Sequence, residues 1–158
     1  MQLSAKGRSF IAAWEGLQTK MYLDSAGLPT IGAGHLLTRA ELRSGKVTIR
    51  GHAIPWGMGL AEHECLVLLD DDARLAVAAV NRMVTVPLTQ DGFDALVSFT
   101  FNSGSGALQS STLLKRLNAG HLDKVPEQLR RWVHCAGKTV PGLVNRREAE
   151  VALWEGRL

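Results

Sequence analysis

What the sequence lacks narrows it first. Only two cysteines stand in 158 residues, Cys65 and Cys135, too few and too far apart for a disulfide framework or a close-spaced metal or redox motif. Both fall in runs that read as helical, so buried, reduced thiols are expected. His63 lies near Cys65 and His134 beside Cys135, but nothing in their spacing fixes a coordination geometry, and no metal is expected. No stretch of 18 apolar residues occurs, so no transmembrane span is expected. The first eight residues, Met-Gln-Leu-Ser-Ala-Lys-Gly-Arg, lack the apolar core of a signal peptide, so synthesis in the cytoplasm is expected. There is no internal repeat, no low-complexity tract and no recognisable DNA- or RNA-binding motif. A nucleic-acid partner therefore rests on charge alone and is not expected.

What is present suits one folded domain. The length predicts a single domain over 1–158 with two lobes, and 46% hydrophobic residues supply an ample core. The net charge of +3 is unevenly spread. Residues 1–50 carry seven Lys/Arg and three Asp/Glu, residues 51–102 two and seven, and residues 103–158 nine and five. Basic ends around an acidic middle would help hold an anionic polymer.

The stretch richest in chemistry runs from Trp14 to His35. Ser4 to Glu15 reads as a helix with Ser4 as N-cap and Phe10, Ile11 and Trp14 on one face. Glu15 stands where that helix stops at Gly16. There it faces the negative end of the helix dipole beside Trp14 and Leu17, surroundings that suit a general acid. Asp24 precedes the turn Ser25-Ala26-Gly27, a wetter place that suits a base. Thr30 can hold a water against Asp24, and Gly32-Ala33-Gly34 lets backbone approach closely. Two carboxylates in different environments are the basis of acid/base hydrolysis of a glycosidic bond.

Farther on, Lys20 to Leu37 reads as a small twisted sheet. Ala40-Glu41-Leu42 reads as a helical turn, Gly45 to Gly51 as one strand, and Trp56 to Gly59 as loop. Leu60 to about Met83 is a long helix with Leu66, Leu69, Ala73, Val77 and Val80 on its apolar face. Asp70-Asp71-Asp72 reads as a solvated patch on it, or as partners for His35. Thr89 caps a buried helix through Phe93, Leu96, Val97, Thr100 and Phe101, closed by Asn102 to Gly106. A short helix runs from Ser111-Thr112 to Asn118. Another runs from Pro126 through Leu129, Trp132 and Val133 to Gly137, and the last opens at Pro141. Arg146 reads as a surface partner of Glu150, four residues on.

The spacing Glu15, eight residues, Asp24, five residues, then Thr30-Ile31-Gly32-Ala33-Gly34-His35 closely resembles the active-site signature of the phage lysozymes of glycoside hydrolase family 24. Leu68-Leu69-Asp70-Asp71-Asp72, Phe101-Asn102-Ser103-Gly104 and Gly142-Leu143-Val144-Asn145-Arg146-Arg147 resemble other patterns of that family. The resemblance is dense at 14–38, 87–104 and 142–150 and thin at 39–60 and 121–140.

It implies an α+β lysozyme-like fold: a sheet-containing lobe at roughly 15–60, a helical lobe from 1–14 and 80–158, and a linking helix at about 60–83. It implies an endolysin that hydrolyses the β-1,4 bond between N-acetylmuramic acid and N-acetylglucosamine in bacterial peptidoglycan. Glu15 would protonate the leaving oxygen, and Asp24 with Thr30 would position and activate water. Gly34, His35, Leu36, Phe101 and Asn102 would line the glycan. Asp72 would pair with His35, and Arg146 with Glu15. An inverting reaction would set the carboxyls roughly 6.5–9.5 Å apart, a covalent intermediate nearer 5 Å. No metal or organic cofactor is needed. The enzyme would act as a monomer at the periplasmic wall after release by a separate holin-type membrane protein. A lytic transglycosylase, or an inactive lysozyme fold that binds wall glycan, remain as alternatives.

Overall fold

The computed structural model describes residues 1–158 and divides into two compact units, Arg8–Arg74 and Met1–Gly7 with Leu75–Leu158. Both boundaries fall inside helices. The first is α1, Ala5–Glu15, capped by Ser4, whose Oγ accepts from the Gly7 N–H at 3.0 Å. The other is α3, Glu62–Met83.

In the unit Arg8–Arg74, β1 (Gln18–Leu23), β2 (Pro29–Gly32) and β3 (His35–Leu36) form an antiparallel sheet in that order. Pairing of Tyr22 with Thr30 and Leu23 with Pro29 closes the hairpin around Asp24. Next comes α2, Arg39–Ser44, started by a capping box in which Thr38 and Glu41 serve each other's backbone. A second hairpin follows, β4 (Lys46–Ile49) with β5 (His52–Pro55). The sequence reading has one strand here. Its turn is Arg50-Gly51, both with positive φ (48° and 82°), the primed geometry that matches strand twist. Ile31, Leu37, Val47, Ile49, Leu60, Cys65 and Leu68 make the core of this unit, with Leu17, Ile54, Trp56 and Val67 packed on it.

The buried face of α3 is Cys65, Leu68, Leu69, Ala73, Ala76, Ala79 and Val80. Leu66 and Val77, expected on that face, are only half-buried. The three aspartates are not a solvated patch. Asp70 takes Arg8 at 2.7 Å, Asp71 accepts the Arg50 backbone N–H at 3.0 Å, and Asp72 meets His35.

The other unit is built on α4, Gln90–Ser103, buried without interruption from Gly92 to Thr100. Thr89 caps it, accepting from the Gly92 N–H at 3.0 Å. Full burial of Phe93, Leu96 and Phe99 contributes about 1.5–3 kcal/mol each. A further helix, α5 (Ser105–Ser110), starts where the sequence reading had only a closing loop. Then come α6 (Thr112–Asn118), capped by Ser111, a 3-10 turn at Leu122–Lys124, and α7 (Val125–Arg130).

The expected helix through Trp132 and Val133 to Gly137 stops early. Residues there form a short hairpin, β6 (His134–Cys135) with β7 (Lys138–Thr139), about a turn of Ala136-Gly137 with φ of 49° and 76°. Cys135 is therefore exposed rather than buried, whereas Cys65 is buried, and both are free thiols. The last helix, α8 (Pro141–Trp154), packs against α4 and α7.

Candidate active site

Glu15 is the last residue of α1 and is half-buried. Its position follows from the helix end: the Gly16 N–H bonds the Ala12 carbonyl at 3.0 Å, and the chain then leaves for β1. The carboxylate lies over the glycine loop, with Oε2 3.8 Å from where a Cβ on Gly34 would sit. Gly34 itself has φ +88°, a conformation that L side chains rarely adopt. It is exposed, as is Leu36, so this edge of the loop is open.

Asp24 heads the β1–β2 turn. Its Oδ1 accepts the N–H groups of Ala26 at 2.8 Å and Leu28 at 2.9 Å, which fixes the side-chain rotamer. Thr30, two residues beyond, is buried, and its hydroxyl donates to the Leu28 carbonyl at 3.0 Å. Its oxygen lone pairs are thus left to accept. Tyr22 stands between the two acids in sequence and feels both. Burial pushes its phenol up, and the charges of Asp24 and then Glu15 push the same way.

His35, on β3, is clamped between carboxylates. Nδ1 lies 3.0 Å from Asp72 Oδ1 and 3.1 Å from Oδ2, and Nε2 lies 3.3 Å from Glu41 Oε1. The hydrogen bond to Asp72 raises the imidazole above its usual range; burial opposes this, and the charges of Asp72 and Glu41 outweigh it. For Glu41, burial pushes the carboxyl up, but the Thr38 N–H and hydroxyl and the His35 charge together hold it below the ordinary value. The sequence reading gave Glu41 no partner; its S/T-x-x-E pattern with Thr38 signals the helix cap and not the contact to His35.

In the helical unit, Phe101 is half-buried and Asn102 exposed in the last turn of α4. Arg146 is 5% exposed, so its pair with Glu150 (Nε to Oε1, 3.4 Å) is not the surface bridge expected. Arg147 and Glu150 are both fully buried, 3.2 Å apart without hydrogen-bond alignment; sequence reasoning gave Arg147 no role and Glu150 only that of a surface partner for Arg146. Glu150 also accepts from the Ser98 hydroxyl at 2.8 Å. Arg147 reaches Asn102 Oδ1 at 2.5 Å and lies 5.2 Å from the Phe99 ring centre. Burial lowers the Arg147 guanidinium and raises the Glu150 carboxyl.

One unit of the fold thus holds an acid at a helix end, an acid at a β-turn and a hydroxyl on the strand that follows. A sequence model described as phage lysozyme matches residues 12–150, and the chain belongs to that family. It is 41% identical over 143 residues to the SAR-endolysin of Escherichia phage Mu, covering 90% of this chain and 75% of that protein. It is 36% identical over 154 residues to the endolysin of Salmonella phage P22, covering 98% of each. The solved endolysin from Escherichia coli O157:H7 phage FAHEc1 superimposes with a TM-score of 0.81 at 40% identity, covering 100% of this chain and 96% of that one.

Proposed function

We propose that Glu15 is the general acid and that Asp24, with Thr30, positions and activates the attacking water. The activity follows from family membership: the chain is a phage endolysin, a muramidase that cleaves the β-1,4 bond between N-acetylmuramic acid and N-acetylglucosamine and so lyses the cell wall. The observation that best supports the assignment is geometric: the Glu15 carboxylate lies over the open Gly34 loop, with Oε2 3.8 Å from where a Cβ on Gly34 would sit, while Asp24 is held at the β1–β2 turn by two N–H groups.

The chemistry runs from these contacts. Protonated Glu15 gives its proton to the glycosidic oxygen as the C–O bond breaks. Two backbone N–H groups occupy Asp24 Oδ1, which leaves Oδ2 to take a proton from water. The Thr30 hydroxyl has spent its proton on Leu28, so it accepts the water's other hydrogen. A water held by both turns a lone pair toward the anomeric carbon. Its oxygen becomes the new reducing-end hydroxyl and Asp24 carries the released proton, which returns to Glu15 through solvent. We assign Gly34, His35, Leu36, Phe101 and Asn102 to the glycan, and Asp72 and Arg146 to support, Asp72 by fixing the His35 ring.

Digestion of purified peptidoglycan in 18O-labelled water tests this. One labelled oxygen per new reducing end is expected; 1,6-anhydromuramic ends would make the protein a transglycosylase and remove the water from Asp24. We further propose a monomer made in the host cytoplasm and passed to the periplasmic wall by a holin-type protein. No helix is long and apolar enough to cross a membrane. Lysis by the protein expressed without any holin would end that part of the proposal.

A further inference from the structure

The buried guanidinium of Arg147 carries a consequence for which groups of the glycan are recognised. An arginine side chain has five N–H donors and no acceptor. Arg147 touches Asn102, so Asn102 must turn its oxygen toward it, as Nη2 to Oδ1 at 2.5 Å shows. The amide nitrogen then points the other way, from an exposed residue. Asn102 thus turns its two N–H donors outward and its oxygen inward onto the guanidinium.

Arg147 has little freedom to relax this. Its side chain is fully buried, with Nε 3.2 Å from Glu150 Oε2 and Nη1 3.4 Å from Ser103 Oγ, and its guanidinium stands over Phe99. Glu150 is pinned in turn by the Ser98 hydroxyl and Arg146. Phe99 is braced edge-on by Trp132, ring centres 5.2 Å apart. We propose that Arg147 is a positioning residue that locks Asn102 as a donor-only contact, selecting an acetamido carbonyl of the glycan over the ammonium of a de-N-acetylated sugar. A carbonyl only accepts and an ammonium only donates, so the fixed amide discriminates between them. The inference rests on the placement of Asn102 at the glycan.

The test is binding of the β-1,4 trimer of N-acetylglucosamine, and of the same trimer after de-N-acetylation, to the full chain by calorimetry. Hydrolysis of peptidoglycan runs alongside. Wild type should favour the acetylated trimer. Asn102→Asp keeps the Arg147 contact and hence the fold, but turns an acceptor outward; the ratio of the two affinities should fall about tenfold, the size of one net hydrogen bond. Arg147→Met keeps the side-chain bulk and frees the amide to flip. It should raise KM two- to tenfold, by the same measure, and leave kcat unchanged. An unchanged affinity ratio in Asn102→Asp, with unchanged KM in any folded Arg147→Met, overturns the proposal. If those results come with wild-type hydrolysis, the muramidase assignment stands without it. If wild type does not cleave, the assignment fails, and the trimer affinities still decide the role of Asn102.

Discussion

His35 and Asp72, 37 residues apart, meet at 3.0 Å through Nδ1 and Oδ1, with their side chains 15% and 28% exposed. This pair ties β3 to α3 within one unit and sets a pH dependence. The imidazole is raised above its ordinary 6.5. Its stabilisation is therefore fully present below that value and is lost as pH rises through the folded value. Glu41, on the other ring nitrogen, is lowered below its ordinary 4.5, so its share is present above 4.5 and fades as pH falls through the folded value. The clamp is strongest between about pH 4.5 and 6.5. Asp72→Asn should cost about 1.5–3 kcal/mol near pH 6, and the Tm difference from wild type should shrink as pH rises. Melting curves from pH 5 to 9 check this; a constant or widening gap would contradict it.

Asp24 has a structural task as well as the proposed chemical one, and two variants separate them. Asn keeps an oxygen for the Ala26 and Leu28 N–H groups. Asp24→Asn should therefore keep Tm while kcat on peptidoglycan falls at least about 100-fold. Asp24→Ala loses the turn bonds too and should cost a further 1–3 kcal/mol or so. Paired melting and turnover assays decide, and an active Asp24→Asn would remove Asp24 from the chemistry.

Glu150 is the buried counter-charge of Arg147 and a partner of Arg146. Glu150→Leu leaves Arg147 buried without its carboxylate and should cost about 3–5 kcal/mol. Ser98→Ala removes one hydrogen bond to that carboxylate and should cost about 1 kcal/mol. Urea unfolding of both variants measures the ratio, and near-equal losses would mean that Glu150 is not the hub of the cluster.

Much of this was legible in the chain because local chemistry decided it. Ser4, Thr89 and Ser111 cap the helices they precede, and Glu15 ends α1 where Gly16 follows. The parts that were not legible depend on neighbours. The 134–139 hairpin has two-residue strands, too short for any alternation, and its turn puts the non-glycine Ala136 at positive φ. Arg146, Arg147 and Glu150 have the spacing of an exposed helix face; only the packing of α8 on α4 makes them core. Strand β5 was hidden because His52-Ala53-Ile54-Pro55 is too short and mixed to show period two. The Glu41 contact to His35 was hidden because a capping glutamate has an explanation complete without a second partner.

The most direct test of the central assignment compares wild type with Glu15→Gln on purified peptidoglycan, products read by mass spectrometry. Glutamine keeps the shape at the end of α1 but has no proton to give the leaving oxygen. Hydrated reducing ends from wild type, lost in Glu15→Gln with Tm kept, are the predicted result. Undiminished cleavage by a folded Glu15→Gln would contradict the assignment of Glu15 as the acid.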